Sequence, residues 1–372
     1  MNQPQDWNEL RVLVLADICD THVDGVVTTN QAVSKVAPAL IGQYRMVMAR
    51  PGYGTKLWSE QIPLTWFEPG LYAPNPFTIL KKTRAFIDEM NPHILHIPVE
   101  GVVGLVAQRV ARERNIPYTT AWHSNWPEFL WERLFLPPSL TNRYLRRFHD
   151  GAACIFATNA SMAERLLQLG LPHTRVIGRG VDLNIFHPNH NTEALRFDPL
   201  KYERPFWVIP GRVAKEKGLE RAFTAKLPGT IFVIGDGKYR SVLERRYPKV
   251  VFLGEMDQLE SARHQNIMNV MLFTSTTDTF GLVMPEANGC GLPVAAYNVT
   301  GPDGYVVDGV NGFLSNEVTP EGLREMAMKC LTLQERDPGL KDRCINEARN
   351  HDWRQPTMDM VDTWFSVARS FR

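Results

Sequence analysis

The stretch Thr277-Asp278-Thr279-Phe280-Gly281-Leu282-Val283-Met284-Pro285-Glu286-Ala287-Asn288-Gly289-Cys290-Gly291-Leu292-Pro293-Val294-Ala295-Ala296 predicts a loop, a helix, a turn and a strand in that order. Met271-Leu272-Phe273-Thr274 before it is short and apolar, as a buried strand is. Gly281 opens the helical segment, and Pro285 is tolerated only in a first turn. Gly289 and Gly291 end the helix, and Leu292-Pro293-Val294-Ala295-Ala296 starts the next strand. Strand, helix and strand in succession build an open, mostly parallel sheet.

Two carboxylates stand at the mouth of this unit, with seven residues between Asp278 and Glu286. Asp278 belongs to the loop and Glu286 to the helix about one turn in, so both can face the crevice at the carboxyl ends of the strands. Between them lie the backbone N–H groups of Gly281, Leu282 and Val283. A helix N-terminus carries about half a positive charge and suits a phosphate. A carboxylate on either side suits hydroxyls, which donate to it. The stretch can therefore hold a diphosphate flanked by two polyols, the chemistry of a nucleotide sugar. Taken alone, D-x7-E reads first as a helix cap beside an ordinary surface acid.

The same residues resemble the family 4 retaining glycosyltransferases. The pattern of that family is an acid, then F-G, then Glu after seven intervening residues, then A-x-x-x-G-x-P-V. Here it is Asp278, Phe280-Gly281, Glu286, Ala287, Gly291 and Pro293-Val294. The usual first acid is Glu; Asp278 keeps its charge and is one methylene shorter. The resemblance implies a GT-B fold, an α/β architecture of two Rossmann-like, doubly wound domains facing across a cleft.

The chain has 372 residues, enough for two domains. Its 44% hydrophobic and 22% charged residues describe a globular protein, and its net charge of +1 gives no general attraction to nucleic acid. Cys19, Cys154, Cys290, Cys330 and Cys344 form no C-x-x-C. That argues against a zinc site or a disulfide framework and fits a reducing cytosol. No run approaches the roughly 18 apolar residues of a membrane span. Met1-Asn2-Gln3-Pro4-Gln5-Asp6 lacks a signal-peptide pattern. The expectation is a cytoplasmic enzyme, with peripheral contact to the inner face of a membrane left open.

Earlier in the chain, Arg11-Val12-Leu13-Val14-Leu15-Ala16 reads as a strand buried on both faces. It runs into a loop containing Asp24-Gly25, where backbone can approach a phosphate or sugar; a simple structural turn fits the loop as well. Gly25 matches the family's glycine loop, in which Asp24 replaces the usual first Gly. G-x-G-x-x-G is absent, which excludes the ordinary dinucleotide site. Further βα units follow through strands at Tyr44–Ala49, His93–Pro98, Tyr118–Trp122 and Cys154–Thr158 and helices at Phe77–Met90 and Val102–Arg114. Ser161-Met162-Ala163-Glu164 has the form of a capping box.

His123 stands at the end of a predicted strand, beside Ser124-Asn125-Trp126-Pro127-Glu128. In the resembling family a histidine here contacts the transferred sugar near the reacting carbon. The words His96-x-x-x-Glu100-Gly101 and Thr119-Thr120-Ala121-Trp122-His123 are similar to GDP-mannose-dependent α-mannosyltransferases and sulfoquinovosyl-diacylglycerol synthases. Trp122, Trp126, Phe129, Trp131, Phe135 and Leu136 precede Arg143, Arg146, Arg147 and His149. Aromatics followed by cations suit a lipid interface or an acceptor-side wall; Glu100, Trp122, Trp126 and Arg143 are the acceptor-side candidates. The helix Leu140–Asp150 reads as lacking a clean amphipathic face.

Gly211-Arg212-Val213-Ala214-Lys215-Glu216-Lys217-Gly218 follows the predicted strand Pro205–Pro210. Arg can bind two phosphate oxygens at once and Lys supplies a point charge. The family's G-R-x4-K-G selects Arg212 and Lys217 for the donor diphosphate. Gly235-Asp236-Gly237 ends another strand in a tight turn, and the resemblance places the base near Gly254–Met256, against backbone. Gly301-Pro302-Asp303-Gly304 and Asp308-Gly309-Val310-Asn311-Gly312-Phe313 are turns of the same pattern.

The resemblance divides the chain into an acceptor domain, residues 1–188, a nucleotide-sugar domain, 189–350, and a helix, 351–372, crossing back to the first. The polar residues 187–194 read as the hinge. It implies a hexosyltransferase, retaining through front-face attack, moving a hexose from GDP-mannose or next a UDP-hexose to a lipid, glycolipid or glycan acceptor. His123, Asp278, Arg212 and Lys217 would be catalytic. Gly25, Gly254, Met256, Phe280, Gly281, Leu282, Val283 and Glu286 would bind donor, with Glu286 on the ribose. Domain closure would exclude water. No D-x-D triplet occurs, and Arg212, Lys217 and the helix N-terminus offer the positive charge. A metal-independent enzyme without cofactor is therefore expected, its nucleotide sugar being a substrate. A nucleotide-sugar epimerase of the same fold, or a binding protein without turnover, are the alternatives.

Overall fold

The computed structural model describes residues 3–19, 25–50, 61–63, 72–74, 76–123, 137–192 and 194–371. Residues 3–178 and 353–371 of the described chain form one compact unit, and Arg179–Asp352 form a second.

The first unit is built on a parallel six-stranded sheet. Its strands are β1 (Arg11–Cys19), β2 (Gln43–Arg50), β5 (Ile94–Ile97), β6 (Tyr118–Trp122), β7 (Cys154–Ala157) and β8 (Thr174–Val176), in the order β2-β1-β5-β6-β7-β8. A short antiparallel pair that the sequence pattern does not announce, β3 (Gln61–Pro63) and β4 (Tyr72–Pro74), lies between β2 and the helix Pro76–Met90. The apolar run of β1 is continuous because both its faces are covered. Leu13 and Leu15 pack with Ile87, Val103, Ala107 and Val110 on one face. Val12 and Val14 pack with Val33, Met360, Val361 and Trp364 on the other.

The helix Arg354–Ser370 thus supplies part of the first unit's second face. Trp364 is fully buried, and its Nε1 donates to Thr119 Oγ1 at 3.0 Å, the hydroxyl that also meets His96 Nδ1 at 3.0 Å. Burial pushes the His96 imidazole down to about 3, so it is neutral and structural. Trp364→Ala is expected to cost about 3–5 kcal/mol through the cavity and the lost bond. Urea unfolding checks it, and a change below about 1 kcal/mol would show the helix to be loosely attached.

The second unit repeats the plan. Its strands are β9 (Phe206–Pro210), β10 (Thr230–Ile234), β11 (Val251–Gly254), β12 (Val270–Phe273), β13 (Val294–Tyr297) and β14 (Gly312–Ser315), in the parallel order β11-β10-β9-β12-β13-β14. Alternation again serves two faces. Phe206 and Val208 meet Phe232, Met284 and Ala287, whereas Trp207 and Ile209 meet Leu243, Leu323, Met326 and Ala327.

Some boundaries differ from the sequence reading. Residues 187–192 lie within the second unit, and the chain passes between units at Gly178–Arg179 and again at Asp352–Trp353. Val181 N donates to His351 O at 2.8 Å, and Phe186 is buried with Cys290, Ala262 and Ala348, which ties this polar stretch down. The helix Ala160–Gln168 is capped by Asn159, whose side chain accepts from Met162 N at 2.8 Å, so Ser161 already lies inside it. The helix Pro138–His149 is amphipathic. Thr141, Leu145, Phe148 and His149 are buried, one to two turns apart, while Arg143, Arg146 and Arg147 point outward. Among the described residues no helix is long and apolar enough to cross a membrane.

Candidate functional site

In the second sheet β9 and β12 are neighbours, with Val270 opposite Trp207 and Met271 opposite Val208. From β9 the sheet grows through β10 and β11 on one side, and from β12 through β13 and β14 on the other. Such a switch point opens a crevice beyond the strands' carboxyl ends. The loops leaving β9 and β12 carry the two motifs that lie 61 residues apart in sequence.

The β9 loop begins at Gly211, whose φ of +125° favours glycine. It tightens into the 3-10 turn Lys215–Lys217 and closes at Gly218 in a left-handed conformation. The β12 loop is stitched to it. Thr274 Oγ1 donates to Lys217 O at 2.7 Å, Arg221 Nη1 donates to Thr274 O at 3.1 Å, and Lys217 Nζ meets Asp278 Oδ1 at 2.5 Å. Arg212 is half exposed and pairs with Glu216 at 2.8 Å. Cations and carboxylates alternate along one edge of the crevice.

Phe280 is buried in the unit's core, and Gly281, Leu282 and Val283 are partly exposed at the start of the helix Val283–Gly289. Gly281 has φ +84°, and a Cβ there would lie 2.7 Å from the Phe273 ring. No side chain caps the helix at Leu282. Glu286 lies in its first turn, partly buried, and burial pushes its carboxyl up to about 8.

The helix is held by a polar cluster that sequence reasoning missed. Asn288 Nδ2 donates to Leu292 O at 2.7 Å, and its Oδ1 accepts from Tyr305 OH at 2.7 Å and Asn311 Nδ2 at 3.0 Å. An Asn placed between Ala287 and Gly289, inside a predicted helix beside buried strands, was the available signal. The turn at Gly301 lies on the Asp278 backbone, where a Cβ would come 2.7 Å from Asp278 O.

The G-D-G turn has a structural use. A Cβ at Gly235 would collide with the Gly211 carbonyl, and one at Gly237 with that of Val213. These glycines let the β10 turn carry the β9 loop on its backbone, through Gly211 N to Ile234 O at 2.8 Å and Val213 N to Asp236 O at 2.9 Å. At the end of β11, Gly254 has φ +80° and its carbonyl accepts from Gly235 N at 2.8 Å. Arg196 braces the strand through Leu253 O at 3.0 Å, and Met256 packs against the core.

In the first unit His123 follows β6 and is partly exposed. Behind it Trp122 is fully buried and stacks on His149 with centroids 5.4 Å apart. His149 Nδ1 meets Thr120 Oγ1 at 2.8 Å, and its Nε2 lies 3.4 Å from Glu100 Oε1. The Glu100 side chain is 3% exposed. The side chains of Trp122 and Glu100, two of the acceptor-side candidates, thus lie packed beneath the strand end. Arg143 is exposed on the helix Pro138–His149, and its neighbour Tyr144 donates through OH to Glu100 O at 2.8 Å. Gly25 opens the helix Gly25–Val36, and its carbonyl accepts from Thr29 Oγ1 at 2.6 Å. Asp24 and Trp126 lie outside the described residues.

The family model for Glycosyltransferase Family 4 matches residues 25–185, and that for Glycosyl transferases group 1 matches residues 191–351. The chain belongs to the group 1 glycosyltransferases of family 4. The chain is 26% identical over 339 residues to a sulfoquinovosyl transferase of Arabidopsis thaliana, covering 85% of the chain and 64% of the relative. It is 28% identical over 244 residues to a GDP-mannose-dependent alpha-mannosyltransferase of Mycobacterium tuberculosis, covering 64% of the chain and 63% of the relative. The chain thus spans just under two thirds of these relatives' lengths. It superposes on a sucrose-phosphate synthase of Thermosynechococcus elongatus with a TM-score of 0.77 at 18% identity, over 96% of this chain and 99% of that one. The fold of the chain is GT-B, an α/β fold with a parallel six-stranded sheet in each unit.

Proposed function

We propose that the chain transfers a hexose from a nucleotide sugar to a lipid or glycan acceptor with retention of configuration, without a metal ion. The observation that carries this reading is the Lys217–Asp278 pair of 2.5 Å, which joins the basic loop to the acidic one at the switch point. Arg212, Lys217 and the first amides of the helix Val283–Gly289 offer positive charge to a leaving diphosphate. Fixed charges and dipoles aimed at the charge that develops in a transition state usually contribute more to catalysis than any other effect. Asp278 and Glu286 offer acceptors to the hexose and ribose hydroxyls. His123 would contact the hexose. With the leaving diphosphate neutralised, the acceptor oxygen attacks the anomeric carbon from the same face, and its proton passes to a departing phosphate oxygen. Arg212 and Lys217 make a divalent cation unnecessary for that neutralisation.

GDP-mannose is the favoured donor and a UDP-hexose the next. The relatives named above support sugar-nucleotide chemistry, and the mannosyltransferase tilts the base towards guanine. A lipid acceptor is favoured by the helix Pro138–His149, which exposes Leu140, Tyr144 and three arginines and contains no acid. Such an enzyme would work in the cytoplasm at the inner face of a membrane.

Calorimetric titration of GDP and UDP, with no metal added, tests the donor site. The wild type is expected to bind one nucleotide, and Glu286→Ala to lose at least about tenfold in affinity through the ribose contact. Unchanged affinity in Glu286→Ala would remove Glu286 from the site. Binding of neither nucleotide by the wild type would favour a protein that retains the fold without turnover.

A further inference from the structure

Glu216 is not among the residues that the motif selects. Its Oε1 lies 2.8 Å from Arg212 Nη2, and its side chain is 14% exposed against 48% for that of Arg212. The next residue, Lys217, is paired with Asp278. Both cations offered to a diphosphate therefore already face a carboxylate of the chain. The register is fixed by the backbone, since Lys217 N donates to Ala214 O and Gly218 N to Lys215 O, each at 3.1 Å. Gly218, at φ +62°, closes this turn, in which Glu216 meets Arg212 and Lys217 meets Asp278.

We infer that Glu216 is a specificity-determining residue that makes the loop discriminate by ligand charge, holding the nucleoside diphosphate product less tightly than Arg212 and Lys217 would without it. The inference rests on the donor-site reading above. In a nucleotide sugar both phosphates are esterified and carry two negative charges. Cleavage of the glycosidic bond leaves a terminal phosphate whose second ionisation, at a pKa of about 6, adds nearly one further charge at pH 7.5. Arg212 and Lys217 attract both ligands. A fixed carboxylate beside Arg212 repels both, and repels the more highly charged product more. The spent nucleotide, which keeps its base, ribose and diphosphate groups, is thereby held less tightly by the loop.

Calorimetry with GDP, UDP, GDP-mannose and UDP-glucose, without metal at pH 7.5, on wild type, Glu216→Gln and Arg212→Ala tests the inference. Glu216→Gln is expected to bind the nucleoside diphosphate about three- to tenfold more tightly and the matching nucleotide sugar by a smaller factor, the gain shrinking at high salt. Glu216→Ala, equally neutral, is expected to move both affinities in the same direction. Equal or weaker diphosphate binding in both neutral variants, with unfolding midpoints unchanged, overturns the inference and makes Glu216 an organiser of Arg212. If Arg212→Ala weakens no ligand, the donor-site reading itself fails. If Arg212→Ala weakens binding and the neutral Glu216 variants do not tighten it, only the charge-discrimination inference fails.

Discussion

Arg212→Ala and Lys217→Ala are each expected to lower hexose transfer by about 10²–10³-fold, equivalent to roughly 3–4 kcal/mol of transition-state stabilisation. The reason is the charge that develops on the leaving diphosphate, for which these side chains are the two loop cations that the motif selects. Stability should change little. The Arg212 side chain is 48% exposed and makes an i,i+4 pair, which contributes little. Lys217 and Asp278 are each 24% exposed, so water can reach the carboxylate left behind. Steady-state transfer at saturating donor, with unfolding midpoints alongside, checks this. A variant that stays folded and transfers at close to the wild-type rate would take its residue out of the catalytic site.

Glu286→Gln is expected to be more stable than the wild type at pH 8 and to converge on it towards pH 5. Burial raises the folded-state pKa of Glu286 to about 8, above the 4.5 of the free side chain. Between these values the unfolded chain has released its proton and the folded chain has not, so rising pH favours unfolding. The cost begins near pH 4.5 and is complete above about pH 8. Its size is on the order of a few kcal/mol, and Gln, which mimics the neutral acid, avoids it. Denaturant unfolding of both proteins across this range gives the difference curve; parallel curves would mean that Glu286 is ionised and solvated. The same shift links to the ligand. Hydroxyls that donate to the carboxylate favour its charged form, so nucleotide binding to the wild type at pH 7 should release protons. The Gln variant should release fewer, which titration in buffers of different ionisation enthalpy measures.

Much of the fold was legible because a strand covered on both faces has a simple signature. Val12-Leu13-Val14-Leu15, Trp207-Val208-Ile209 and Met271-Leu272-Phe273 are unbroken apolar runs, and each feeds alternate side chains into two cores. Turn glycines were legible where φ is positive, as at Gly218, Gly281 and Gly291. The passage between units was not. Composition marked residues 187–194, whereas backbone pairing of Val181 with His351 and burial of Phe186 place the break nearer Gly178. The cap at Asn159 was missed because a capping-box pattern starting two residues on, at Ser161, satisfied the same rule with different residues.

The sequence by itself determined the class of fold, the two motifs and the types of charge that a diphosphate and two sets of hydroxyls would need. Those features are local, since periodicity, glycine conformation and residue chemistry are carried by neighbouring positions. Only the tertiary structure decided which charges meet. Strand order in the second sheet set β12 beside β9 and so brought Asp278 to Lys217 across 61 residues, and packing within the first unit closed the Trp122 and Glu100 side chains inside it. Burial raised the Glu286 carboxyl. Pairing and desolvation depend on distances between segments far apart in the chain, and such distances are fixed when the sheets pack.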